Sequence, residues 1–167
     1  MELQYRQGTL SDLDRIESLV QNAVMQMRRQ GIEQWDEIYP VREDFAQDIT
    51  KKQLFVGTLD ADIAVVYTIN HEYDEAYESG QWREPDKPFC ILHRLCVNTQ
   101  YQNQGVAGRT MAHIERMAFR QGERAIRLDA FSENPYSLKL YRRCGYTRVG
   151  TAEWRKGIFY LMEKYLP

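Results

Sequence analysis

The chain has 167 residues, 43% of them hydrophobic and 28% charged, ordinary values for one globular domain with a sizeable core. Its net charge of −2 argues against a general nucleic-acid binder, which carries a basic surface. No apolar run approaches the ~18 residues of a membrane span, so no membrane partner is expected.

The first residues, Glu2 to Gln7, alternate as a strand and lack the apolar core of a signal peptide. Cys90, Cys96 and Cys144 are odd in number and sit in apolar segments. They read as buried free thiols of a reducing, cytoplasmic setting. Their spacing to histidines suits no zinc site, so no metal is expected.

Ser11-Asp12-Leu13-Asp14 resembles a capping box. Behind it, Leu13, Ile16, Val20, Ala23 and Met27 form one helical face ending near Gly31. A loop with Trp35 and Tyr39-Pro40 leads to a second helix over 41–51, with Phe45 and Ile49 on one side. Strands are predicted at 54–56 and 63–69, joined by a hairpin turn at Asp60-Ala61-Asp62. A long polar loop over 71–87 carries Tyr73, Tyr77 and Trp82. An apolar strand over 89–97 follows.

The next stretch carries the chemistry. After Val97 a polar turn reaches Gly105 and Gly108, and Ala107, Met111, Ile114 and Ala118 then fall on one helical face. Small residues where a strand meets a helix leave backbone N–H groups uncovered, and the helix dipole favours a phosphate or pyrophosphate there. The Walker pattern fails, because Gly108 is followed by Arg109 and Thr110. The dinucleotide pattern fails for want of a third glycine.

Further on, a strand over 125–130 precedes Asn134-Pro135, an N-cap followed by proline at the first helical position. That short helix closes at Cys144-Gly145, and strands near 147–152 and 158–163 finish the chain. The order β-α-α-β-β-β-α-β-α-β-β predicts an α/β fold, a mixed sheet with helices on both faces, as one domain over 1–167.

Gln102-x-x-Gly105-x-Ala107, followed by Asn134 with Tyr141 seven residues later and then Gly145-Tyr146, resembles the GNAT superfamily of N-acetyltransferases. The resemblance covers most of the chain and implies acetyl-CoA as co-substrate. By it, main-chain groups of Leu95, Cys96 and Val97 on a splayed central strand pair with the pantetheine arm. Gln102, Asn103, Gln104, Gly105, Val106, Ala107 and Gly108 would hold the pyrophosphate. Gln102 stands where Arg is common, which removes a direct charge contact. Asn134 would meet the pantetheine or a nearby water, or serve only as the N-cap. Tyr141 would protonate the departing thiolate, or pack in the core.

The implied reaction is attack of a primary amine on the thioester in a ternary complex. Such an amine has a pKa of about 10.4 and must lose a proton first. His93 is the candidate base, placed by strand alternation on the face of Leu95 and Val97; the other reading is a hydrogen-bonded buried histidine. A covalent acyl-cysteine route through Cys96 or Cys144 is the weaker mechanism, since no cationic neighbour is evident. Trp35, Tyr77 and Trp82, among acidic residues, are candidates for the acceptor groove. They would suit a small cationic amine or a Lys-containing peptide. The resemblance also implies a homodimer. The alternative function is a non-catalytic acyl-CoA sensor, which would keep the turn and lose the catalytic groups.

Overall fold

A computed structural model describes residues 2–167 and contains four helices and seven strands. In chain order these are β1 (Gln4–Gln7), α1 (Leu13–Arg29), α2 (Arg42–Thr50), β2 (Leu54–Leu59), β3 (Asp62–Asn70) and β4 (Phe89–Val97). They continue with α3 (Val106–Arg120), β5 (Ala125–Phe131), α4 (Pro135–Arg143), β6 (Thr147–Trp154) and β7 (Gly157–Tyr165). The sheet is mixed, ordered β1-β2-β3-β4-β5-β7-β6. The expected element order is found throughout. The exchange of β6 and β7 has no signal in the sequence, because a hairpin can pair through either strand.

The chain forms two compact units. The first runs to Ile69 and includes Arg94–Thr110; the second comprises Asn70–His93 and Met111–Pro167. The chain passes between them at the end of β3, inside β4 and again inside α3.

In the first unit, β1, β2 and β3 form an antiparallel meander with Val56 opposite both Arg6 and Val66. Leu13, Ile16, Leu19, Val20, Ala23 and Val24 of α1 meet Phe45 and Ile49 of α2 over Leu54, Val56, Val66 and Cys96. Each such side chain contributes about 1.5–3 kcal/mol on burial. The helix periodicity read from the sequence therefore marks the side of α1 that faces the core.

One residue in this unit breaks strand geometry. Arg94 has φ +49°, a left-handed conformation that costs a residue with a side chain about 1–2 kcal/mol. Its guanidinium offsets that cost: Nε and Nη2 donate to Asp48 Oδ2 at 3.0 and 2.5 Å, and Nη1 donates to Tyr39 Oη at 2.8 Å. Asp48 also accepts from Thr68 Oγ1 at 2.9 Å. Arg94 lies between His93 and Leu95, and beyond it Cys96 packs with the α1–α2 core while Leu95 and Val97 pack with Leu59, Ala64 and Val65.

In the second unit, β5 pairs antiparallel with β7 over seven residues, from Ala125↔Tyr165 to Phe131↔Phe159, and β7 pairs with β6. The parallel ladder between β4 and β5 is far shorter. It holds Phe89↔Ala125, Cys90↔Ile126 and Ile91↔Arg127 and then ends, although β4 runs on to Val97 and β5 to Phe131.

The 71–88 segment is not the solvated loop its polarity suggests. Glu75–Ser79 forms a 3-10 turn capped by Asp74. Gln81 N donates to Val149 O and Arg83 N to Glu163 Oε1. Glu163 and Arg127 are 5% and 6% exposed, and the Arg127 guanidinium lies over the rings of Phe89 and Trp82 at 3.6 and 4.3 Å. These contacts fasten the segment to the sheet.

Removing one partner of a buried ion pair leaves the other uncompensated. Asp48→Ala should therefore lower the unfolding free energy by roughly 3 kcal/mol, read as a lower urea midpoint at unchanged m-value. An unshifted midpoint would show that Arg94 keeps its conformation without Asp48.

Candidate active site: an anion turn and a strand fork

The turn after β4 is set by short polar side chains. Asn98 Oδ1 accepts from Gln100 N at 3.0 Å, and its Nδ2 donates to Ile63 O at 2.9 Å. Tyr101 Oη donates to Asp62 at 2.6 Å. These bonds tie the start of the turn to β3. Asn103 and Gly105 then adopt φ of +62° and +77°, and Val106 opens the 15-residue α3. Val106, rather than Ala107, is the buried anchor of the first turn, packed with Leu59, Ala64 and Val65. Asn103, Gln104, Gly105 and Gly108 are exposed.

This geometry fits a diphosphate. Left-handed residues flanking Gln104 turn the backbone into a concavity of the kind that binds anions, at the positive end of a long helix. Gly105 is required by its φ. Gly108 is not: it is helical, and a Cβ there would meet no atom within 4 Å. Nothing in the protein itself demands a glycine at that point, and close approach of a ligand to the backbone is what a missing Cβ permits.

The second unit carries the other candidates. Asn134 caps α4, its Oδ1 accepting from Tyr136 N and Ser137 N at 3.1 and 3.2 Å. With Oδ1 so used, a ligand contact by this side chain would come from its Nδ2 donors. Tyr141 is 8% exposed, its ring edge-on to Tyr146 at 5.9 Å. Burial, with a smaller effect from the Asp129 carboxylate, pushes its phenol well above the ordinary value. The proton therefore stays on Tyr141 across the neutral range.

His93 Nε2 lies 2.7 Å from Asn70 Oδ1 and 3.0 Å from Glu72 O. Asn70 Oδ1 accepts from Glu72 N as well, so both groups facing Nε2 are acceptors. That assigns the proton of neutral His93 to Nε2 and leaves Nδ1 as its basic atom.

Other candidates change standing. Trp35 is 9% exposed and belongs to the core around α1 and α2, so it is withdrawn from the acceptor groove. Tyr77 is 3% exposed and belongs to the core around Ile91 and Leu161, so it does not line a groove either. It is stacked on Trp82 at 5.6 Å, with its hydroxyl donating to Asp129 Oδ2 at 2.6 Å. Trp82 Nε1 donates to Tyr77 O at 2.7 Å. Burial pushes the Cys96 thiol up to about 12 and raises that of Cys144, so neither provides the thiolate an acyl-cysteine route needs. Asp129 is the site residue that sequence reasoning passed over. It is half-buried in a strand whose other residues are buried, and nothing local announces its bond to a tyrosine 52 positions away.

The family model for the acetyltransferase (GNAT) family matches residues 22–146. The chain belongs to that family. It is an acetyl-CoA-dependent acetyltransferase, the fold and the family agreeing. It is 26% identical over 142 residues to the uncharacterized N-acetyltransferase YesJ of Bacillus subtilis, covering 83% of this chain and 78% of that one. A GNAT-family acetyltransferase from Streptococcus agalactiae superposes with a TM-score of 0.84 at 21% identity, covering 98% of this chain and 95% of the other. The PaiA N-acetyltransferase of Thermoplasma acidophilum, in complex with coenzyme A, shares the fold with a TM-score of 0.74 at 13% identity over 99% of both chains.

Gly108→Ala separates the two reasons for a glycine. In a helix alanine is favoured by roughly 0.5–1 kcal/mol, so the free variant should melt higher than the parent. Its affinity for coenzyme A should nevertheless fall, by calorimetric titration, about tenfold or more. Equal affinity in a stabilised variant would show that the ligand does not approach this backbone.

Proposed function

We propose that this enzyme transfers the acetyl group of acetyl-CoA to a primary amine by direct attack in a ternary complex, as one catalytic domain over 1–167 in the cytoplasm. The observation that carries the reading is the early end of the β4–β5 ladder. Beyond it a strand can offer main-chain groups to an extended, amide-bearing ligand. The coenzyme A complex of the T. acidophilum neighbour and the naming of YesJ as an N-acetyltransferase support it. Among the described residues no helix is long and apolar enough to cross a membrane.

In this proposal Leu95, Cys96 and Val97 pair through their main chain with the pantetheine arm. Gln102 to Gly108 take the pyrophosphate through backbone N–H groups, and Asn134 donates from Nδ2. The bound co-substrate supplies an acetyl group activated as a thioester. His93 accepts the proton of the incoming ammonium at Nδ1, and Tyr141 gives its proton to the departing sulfur. The acceptor is a small amine or a Lys side chain of a peptide.

Two experiments test this. Thermal unfolding with acetyl-CoA at about 100 times its dissociation constant should show ~2.7 kcal/mol of added stability, followed by thiol release when primary amines are supplied. No shift would remove the acyl-CoA reading, whereas a shift without release from any amine would favour a sensor. Tyr141→Phe should lower kcat with little change in coenzyme A affinity. Because the phenol is raised, wild-type kcat should show no descending limb from its ionisation up to about pH 10. A descending limb that disappears in the variant would overturn that protonation state.

A further inference from the structure

Continued two residues past Ile91↔Arg127, the register of the β4–β5 ladder would set His93 opposite Asp129. Both residues therefore stand where the strands part. The Asp129 carboxylate is oriented there by the Tyr77 hydroxyl at 2.6 Å. Tyr77 is itself enclosed, stacked on Trp82 and on the exposed ring of Tyr73. A buried hydroxyl with a charged acceptor makes one of the stronger neutral-to-ionic bonds in a protein, so the carboxylate is held in a defined place.

Its presence is unfavourable to the proposed acid. A negative charge near Tyr141 opposes loss of the phenol proton, the step that Tyr141 must perform. Such a carboxylate is consistent with the reaction if a cation arrives beside it in each cycle. The acceptor of the proposed reaction is such a cation, a primary ammonium before it reacts.

We propose that Asp129, oriented by Tyr77, binds the ammonium of the acceptor at the β4–β5 fork and makes the enzyme selective for cationic alkylamines. This rests on the amine-acetylation reading above. Asp129 keeps its charge throughout. The ammonium loses one proton to His93, the C–N bond forms as the C–S bond breaks, and the thiolate takes the proton of Tyr141. The second proton leaving the acetylated nitrogen restores the Tyr141 phenol, while His93 releases its proton to solvent. The exposed Tyr73 ring extends the recognition surface by a cation–π contact.

The test compares wild type, Asp129→Asn and Tyr77→Phe at pH 7 with benzylamine, cationic there, and aniline, neutral there. Coenzyme A-induced thermal shift serves as the readout of an intact fold and cofactor site. Asp129→Asn should raise KM for benzylamine about tenfold or more, change KM for aniline little, and keep the coenzyme A shift. Tyr77→Phe, which retains the charge and loses its orientation, should give a smaller rise in the same direction; it also decides the matter if Asp129→Asn does not fold. Wild-type turnover of benzylamine with KM unchanged in the variants, or raised equally for aniline, would overturn the assignment of Asp129 alone. Absence of wild-type turnover with any amine would overturn the amine reading and this inference together.

Discussion

The parallel pairing of β4 and β5 stops after three residues, and the proposed chemistry depends on that stop. A continued ladder would use the backbone groups of both strands on each other. A strand that ends its pairing early has main-chain groups to offer, and an acyl-CoA arm carries amides able to use them. The neighbouring Arg94 adopts a left-handed conformation that a regular strand does not tolerate. Its ion pair with Asp48 makes that departure a fixed feature of the first unit.

In the second unit, the 71–88 segment brings aromatic rings to the sheet. Its Tyr77 and Trp82 pack with Ile91, Ala152 and Leu161, and polar contacts add to that burial. The segment is secured by Arg127 and Glu163, by backbone bonds to β6 and by the Tyr77–Asp129 bond. Arg127 Nε and Glu163 Oε2 are 3.8 Å apart, too far for a hydrogen bond, and both are buried without a partner among the described residues. Their attraction is therefore electrostatic and shared with the rings above Arg127.

In the proposed reaction the acid and the base are set by their surroundings. Tyr141 is kept protonated and His93 presents Nδ1 as its basic atom. The buried thiols of Cys90 and Cys96 are pushed up to about 12. Acyl transfer through a cysteine would need a thiolate that these sites disfavour, which leaves direct attack as the simpler chemistry.

Local chemistry was sufficient, from the sequence by itself, to determine the element order, the buried face of α1, the turn at Gln102–Gly108 and the Asn134 cap. Helix periodicity, capping residues and glycine conformations act within a few residues, so they are written in the chain. The family followed from two such local motifs. Tertiary structure alone decided the placement of β7 between β5 and β6, the left-handed conformation of Arg94 held by Asp48, the burial of Trp35 and the meeting of Tyr77 with Asp129. Each of these joins residues far apart in sequence, and no local rule fixes which distant partner a side chain finds. Asp129 and Trp35 show both directions of that limit: an acid with no local signal meets a distant tyrosine, and an expected groove aromatic became core.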